Sequence, residues 1–284
     1  MKISHFPNNL PGNAKEVYPQ LVDAIQATDT LVENDMDADA ALIWSVLWFG
    51  KMGANKAVWD HYRARNKPVI VIEVGGLIRN ETWKLGINGI NRDADFAVDT
   101  YMPDDRVKKF GIVLQSWKQH GEYILICGQH GHSEQWRNMP DMDTYYRNTI
   151  AEIRKFADKP IVVRSHPRYR ESLHWSCDMQ WYKEQDVTWN IPQQVQQTYD
   201  SFDLEHMLKH THFTVSHSSN AGINSIIQGV PAIVSESSLA YDVGTSMGEW
   251  LSKPSRHVWL NRMTYTEWFA DEIGVQWSRI RDRI

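Results

Sequence analysis

The stretch FTVSHSSNAGINSIIQGVPAIVS (213–235) decides the fold. An apolar run stops on Ser216, His217, Ser218, Ser219 and Asn220, a short helical pattern covers Ala221–Gln228, and a second apolar run opens at Pro231. Strand, helix and strand in that order are a βαβ unit of a parallel α/β sheet. Ser218, Ser219 or Asn220 can cap the helix. Capping is compatible with a second use, because free N–H groups and the dipole at a helix start favour a phosphate. Gly222 would keep the first turn uncluttered, and Gly229 would end the helix before Pro231. Glu236 stands at the end of the second strand, where ribose hydroxyls are often held.

Working outward, the same alternation fills the chain. Strand candidates are Lys2–Phe6, Ala40–Val46, Val69–Val74, 122–127, 160–166, 213–217 and 231–235, and helix candidates are Lys15–Ala27, Ala54–Arg65, Thr144–Phe156, Asp203–Lys209 and Ala221–Gln228. Thr264–Ile284 also reads as helical, with Trp268, Ile273, Trp277 and Ile280 as its apolar side. Two successive βα series predict two Rossmann-like domains facing a cleft. They span 1–115 and 116–262, and 263–284 is a C-terminal helix that packs back on the first. Ligands of such sheets sit beyond the carboxyl ends of the strands.

The 284 residues are 42% hydrophobic and 23% charged with a net charge of −5, an ordinary globular balance that counts against a tight, sequence-blind nucleic-acid binder. Cys127 and Cys177 form neither a metal spacing nor a marked disulfide pair. MKISHFPNNLPG has no signal-peptide core, and no apolar run approaches the ~18 residues of a membrane span. The expected location is cytoplasmic, in the host cytoplasm if a phage encodes the chain, with no membrane partner and a monomer or homodimer as the working form. Most of the thirteen tryptophans should pack cores, and the remainder offer flat faces to a sugar or base.

Polar residues accumulate where the strands end. The second half supplies Gly128, Gln129 and His130, then Arg164, His166 and Arg168, then Ser216 to Asn220, and last Glu236. In RSHPR (164–168) the arginines suit phosphate oxygens and Pro167 fixes the neighbouring imidazole, although a solvated basic loop has the same composition. GQHGH (128–132) reads as a glycine-rich phosphate loop, since no matching cluster elsewhere suggests a metal. The first half supplies His5, Glu73 and the Gly75–Gly76 pair. Glu73 is the first candidate for a catalytic base, with Asp93 and Asp95 in reserve, although Glu73 could instead pair with Arg79 and only order its loop. His5, Arg79, Trp83, Asn88, Asn91 and Arg92 are candidates for holding an acceptor. The Asp-x-Asp spacings at 35–37, 93–95 and 141–143 read as loop carboxylates.

RSHPR and SSNAGINSIIQGVPAIV (218–234) together resemble the donor half of GT-B-type nucleotide-sugar glycosyltransferases, the capsule-polysaccharide and Kdo-type transferases. The resemblance covers about 80 residues. It implies that His166, Ser218 and Ser219 contact the donor's phosphates or nucleotide, that Glu236 contacts its ribose, and that no bound metal or tightly held cofactor is needed beyond a nucleotide-sugar donor, with a UDP-sugar favoured. VIEVGGLIRNETWKLGINGINR (71–92) is similar to segments of small phage-encoded glycosyltransferases. That second likeness implies double-stranded DNA carrying 5-hydroxymethylpyrimidine as acceptor, and a local basic surface would come from Lys51, Lys56, Arg63, Arg65, Arg79, Lys84 and Arg92. The expected enzyme is a hexosyl- or pentosyltransferase working by direct displacement with a carboxylate base. A transferase acting on a surface polysaccharide and a sugar-nucleotide 2-epimerase of the same fold are the alternatives.

Overall fold

The computed structural model describes residues 1–169, 178–198, 201–245 and 253–284. In chain order the strands are β1 (Lys2–His5), β2 (Thr30–Glu33), β3 (Ala40–Trp44), β4 (Val69–Val74), β5 (Thr82–Ile87), β6 (Tyr123–Cys127), β7 (Ile161–Arg164), β8 (Val187–Asn190), β9 (Thr211–Ser216), β10 (Ala232–Val234) and β11 (Glu267–Phe269). The helices are α1 (Tyr18–Gln26), α2 (Asn55–Arg63), α3 (Asp105–Phe110), α4 (Met142–Arg154), α5 (Met179–Glu184), α6 (Leu204–His210), α7 (Asn220–Ile227), α8 (His257–Met263) and α9 (Ile273–Arg281). Two units divide the chain: Met1–Phe110 with Leu260–Ile284, and Gly111–Trp259. The joins thus fall at 110/111 and 259/260, where the sequence reading put 115/116 and 262/263.

The first unit's sheet runs β11-β5-β4-β3-β1-β2. β1 to β4 pair in parallel, whereas β5 lies antiparallel to β4 and β11 antiparallel to β5. Period-two alternation splits β4 between two cores. Ile70 and Ile72 meet Leu21 and Ile25 of α1 and Trp277 of α9, while Val69 and Val71 meet Val58, Trp59 and Tyr62 of α2. Burial on both faces is why this strand reads as an unbroken apolar run. The C-terminal stretch departs from the all-helical expectation, since 267–269 forms an edge strand and α9 starts only at Ile273. The reason is tertiary. The fully buried carboxylate of Glu267 accepts from Gly76 N (2.8 Å), Leu77 N (3.0 Å) and Thr82 Oγ1 (2.8 Å), which anchors β11 to the loop after β4.

The second unit's sheet is parallel throughout, in the order β10-β9-β6-β7-β8. The order in which strands are added reverses between β6 and β9, so their carboxyl ends flank the crevice where open α/β sheets bind ligands. Ile124, Ile126, Val163, Phe213 and Val215 pack against Tyr146, Ile150 and Ile153 of α4. Leu125 and Cys127 face the other side, against Leu208 of α6 and Ala221 of α7. Each such aliphatic side chain stabilises by about 1.5–3 kcal/mol relative to exposure. Burial pushes the unpaired Cys127 thiol up to about 12, so it stays protonated, and Cys177 lies outside the described residues. Among the described residues no helix is long and apolar enough to cross a membrane.

Candidate functional site

Gln129 follows β6 and Ser218 follows β9, so the two sit on opposite sides of the strand reversal. They are joined directly. Gln129 Nε2 donates to Ser218 Oγ at 2.9 Å, and Ser218 N donates back to Gln129 Oε1 at 3.1 Å. Ser219 then caps α7, accepting from Ala221 N at 3.3 Å, and Asn220 is the helix's first residue. Below that turn lies the hydroxyl of Ser216, 2% exposed, which among the described residues has no hydrogen-bond partner. Gly222 serves packing, because a Cβ there would come within 2.8 Å of Val234 Cγ1 and 3.1 Å of Ser216 Oγ. Its missing side chain lets α7 settle on β9 and β10. Glu236 is exposed beyond β10, and the adjoining Ser235 N donates to His217 O at 3.0 Å.

The imidazoles of this region are set in fixed tautomers. His130 Nδ1 accepts from His132 N at 3.2 Å, and His166 Nδ1 accepts from Arg168 N at 3.2 Å, which leaves the hydrogen on Nε2 in each neutral ring. The two rings meet edge-on at 5.3 Å, and Tyr169 lies 4.8 Å from His130. Burial, helped by the nearby His132, lowers His130 to about 4, and burial lowers His217 as well. Both are therefore neutral near pH 7 and not cations. Arg168 is exposed at the turn after β7.

Two donor-side expectations change. Arg164 is 4% exposed, with its guanidinium committed to Asn190 and to Asp203 (2.7 Å). Burial opposes the charge on Asp203, but the Arg164 bond and the N–H of Gln193 outweigh it, and its pKa lies below the usual carboxylate range. Arg164 therefore ties β7 to the segments bearing Asn190 and Asp203, which leaves Arg168 as the arginine of RSHPR for a ligand. Gly128 does not make room for a phosphate either. A Cβ there would meet Tyr146 Oη at 2.0 Å, so the missing side chain is occupied by α4.

In the first unit Glu73 is the penultimate residue of β4 and half-buried. Its Oε2 accepts from Ser45 Oγ at 2.5 Å and its Oε1 from Val74 N at 2.8 Å. Lys84, 2% exposed, is its cross-strand partner. Burial lowers the Lys84 pKa, opposed by Glu267 and Glu73. Arg79 is exposed in the loop beyond Gly76. His5 ends β1 with Nδ1 3.1 Å from Tyr18 Oη and Nε2 3.7 Å from Glu33. Gly75 gives way to protein, not ligand, since a Cβ there would lie 2.3 Å from Thr82 Oγ1 and 2.4 Å from Glu267 Oε2.

The remaining acceptor-side candidates are not with Glu73. Because β5 runs antiparallel, the segment after it returns to the amino end of β4. Asn88 N donates to Val69 O at 2.7 Å, Asn88 Oδ1 accepts from Val69 N at 2.9 Å, and Asp95 bridges to Ile87. Val69 and Val74 stand about 17 Å apart at ~3.3 Å per residue. Asn88, Asn91, Arg92, Asp93 and Asp95 therefore lie at the wrong end of the sheet to act beside Glu73. Trp83 is a core residue, 5% exposed and in register with Trp268 of β11. The buried Lys84 likewise drops out of any basic surface. Ser45 and Tyr169 were missed. Nothing in a serine's identity announces its positive φ, and Tyr169 shows only through the rings it packs against. Among the described residues no group of three or more His, Cys, Asp or Glu could hold a metal ion.

No family model matches the sequence, and no curated protein matches it at a significant level. Solved structures do. KpsC of Thermosulfurimonas dismutans as a beta Kdo 2,4 transferase superposes over 93% of this chain and 90% of its own, with TM-score 0.53 and 13% identity. KpsC of the same organism as a beta Kdo 2,7 transferase superposes over 100% of both chains, with TM-score 0.52 and 10% identity. The UDP-GlcNAc 2-epimerase of Methanocaldococcus jannaschii overlaps less well, at TM-score 0.37 and 12% identity over 87% of this chain and 88% of its own. At these identities the likeness is one of fold: the chain has an α/β, GT-B-like architecture built from two Rossmann-like units.

Proposed function

We propose that the protein is a glycosyltransferase that moves a sugar from a nucleotide-sugar donor to a hydroxyl acceptor. The observation that carries this is the Gln129–Ser218 bridge at the β6/β9 reversal, set at the start of α7, with His166 and Arg168 in the turn after β7. A leaving diphosphate needs oriented N–H donors and a cation. Here the first turn of α7, two pre-set imidazole tautomers and Arg168 supply both. Glu236, exposed beyond β10, is assigned to the ribose in this reading.

The first unit supplies the base. As the acceptor oxygen bonds to the anomeric carbon and the bond to the diphosphate breaks, Glu73 takes the hydroxyl proton. Of the two acceptors, 5-hydroxymethylpyrimidine in DNA depends on Trp83, Asn88, Asn91 and Arg92 for a base pocket. Trp83 and Asn91 are buried, and Asn88, Asn91 and Arg92 lie away from Glu73. We therefore favour a saccharide hydroxyl, in keeping with the Kdo transferases whose fold the chain shares.

The test offers UDP-glucose, UDP-GlcNAc and nucleotide-activated Kdo with either an oligosaccharide or DNA containing 5-hydroxymethylcytosine. Nucleotide release and acceptor mass are followed. Mass gain on the oligosaccharide is expected, with turnover reduced about 10²–10⁴-fold in Glu73→Gln while donor binding persists. Mass gain on the DNA alone reverses the acceptor assignment. Full activity in Glu73→Gln ends the base assignment, and no nucleotide release from any donor ends the reading.

A further inference from the structure

Ser45 directly follows β3, is 2% exposed and has φ +60, a left-handed conformation that a non-glycine residue adopts only under strain. Its N–H and its hydroxyl are both used. The N–H donates to Ile72 O on β4 at 2.8 Å, the hydroxyl accepts from Leu47 N at 3.1 Å, and the same hydroxyl donates to Glu73 Oε2 at 2.5 Å. A glycine would make this turn without strain and would keep the N–H bond to Ile72 O, while Leu47 N would lose the hydroxyl it donates to. The hydroxyl is therefore what the serine adds, and among the described residues its acceptor is the Glu73 carboxylate.

The other side of Glu73 is held as well. Val74 N takes Oε1 at 2.8 Å, and Lys84 stands opposite in register, itself opposite Glu267 on β11 at 4.0 Å. Arg79 is the remaining charge near this row, acting on Lys84. Glu73, Lys84 and Glu267 thus form one row across three strands, and Ser45 closes the row on the β3 side.

We propose that Ser45 is a positioning residue for Glu73, its strained turn holding one carboxylate oxygen so that the carboxyl group keeps a single orientation at the end of β4. The catalytic consequence rests on the reading of Glu73 as the base; the hold itself does not.

The experiment is a double-mutant cycle of Ser45→Gly, Glu73→Gln and the double variant, unfolded in urea at constant pH, with turnover measured on the same proteins. Ser45→Gly relieves the backbone and loses only the hydroxyl, so it folds. Ser45→Ala keeps the strain without the hydroxyl and should be the less stable of the two. A coupling of fivefold or more in the unfolding constant is expected between positions 45 and 73. Coupling within twofold overturns the proposal whether or not the chain transfers sugar. In turnover, Ser45→Gly should lower kcat about tenfold or more with KM within about threefold. An unchanged kcat overturns the positioning role. A wild-type chain without turnover ends the base reading, and the cycle still decides whether Ser45 holds Glu73.

Discussion

Arg164 and Arg168 share one motif and do different work, and the difference lies in where each stands relative to the end of β7. Arg164 is the last residue of the strand, so its side chain turns into the sheet's polar margin and joins Asn190 and Asp203. Truncating it leaves the Asp203 carboxylate with Gln193 N and no cation. Arg164→Ala should therefore lose about 3 kcal/mol of stability in urea unfolding. Arg168 is exposed four residues later, where truncation should change stability by less than about 0.5 kcal/mol but weaken nucleotide binding about tenfold. Equal stability losses in the two variants would contradict this division. From RSHPR alone the two are indistinguishable, because composition names a phosphate-binding residue type and only the strand end decides which copy is available.

Seven of the strands were legible at the level of elements because burial on both faces leaves a continuous apolar run, as in AALIW and VIVIEV. β2, β5, β8 and β11 were not. TLVE and EWF are short and half polar, and TWKLGI carries a lysine and a glycine that look wrong for a buried strand. Lys84 and Glu267 are acceptable inside because each stands opposite the other and Glu267 also accepts from Gly76, Leu77 and Thr82, facts that belong to pairing and not to either segment. Missing β5 also misplaced the loop after it, since a strand running antiparallel sends Asn88 to Asp95 to the far end. Glycines were legible as necessary but not as to why. Gly128→Ala should cost about 1–3 kcal/mol, because the new methyl meets Tyr146 Oη of α4. Adding Tyr146→Phe should recover most of that loss. A Gly128→Ala protein with wild-type stability and weakened nucleotide binding would restore the phosphate role to this glycine.

For the whole molecule, four histidines, His5, His130, His212 and His217, have pKa values lowered chiefly by burial, with His130 near 4. In the unfolded chain an imidazole titrates near 6.5, so between about pH 4 and 6.5 the unfolded state binds more protons than the folded one. The contribution of these residues is fully present above pH 6.5 and is lost as pH falls towards 4. Thermal midpoints should therefore decline through that window, and His130→Phe should flatten the decline. A midpoint that rises on acidification from pH 6.5 would show that these rings are not buried neutral. The central claim is that the start of α7, bridged to Gln129, is where a nucleotide sugar's phosphates bind. It is tested most directly by titrating the ¹⁵N-labelled protein with UDP-glucose, UDP-GlcNAc and nucleotide-activated Kdo while following backbone amides. The account predicts that for one of these donors the largest shifts fall on Gln129 and on Ser218 to Ala221, and that Ser218→Ala weakens binding about tenfold. Saturable shifts that leave those amides unmoved, or no binding of any of the three donors, would contradict it.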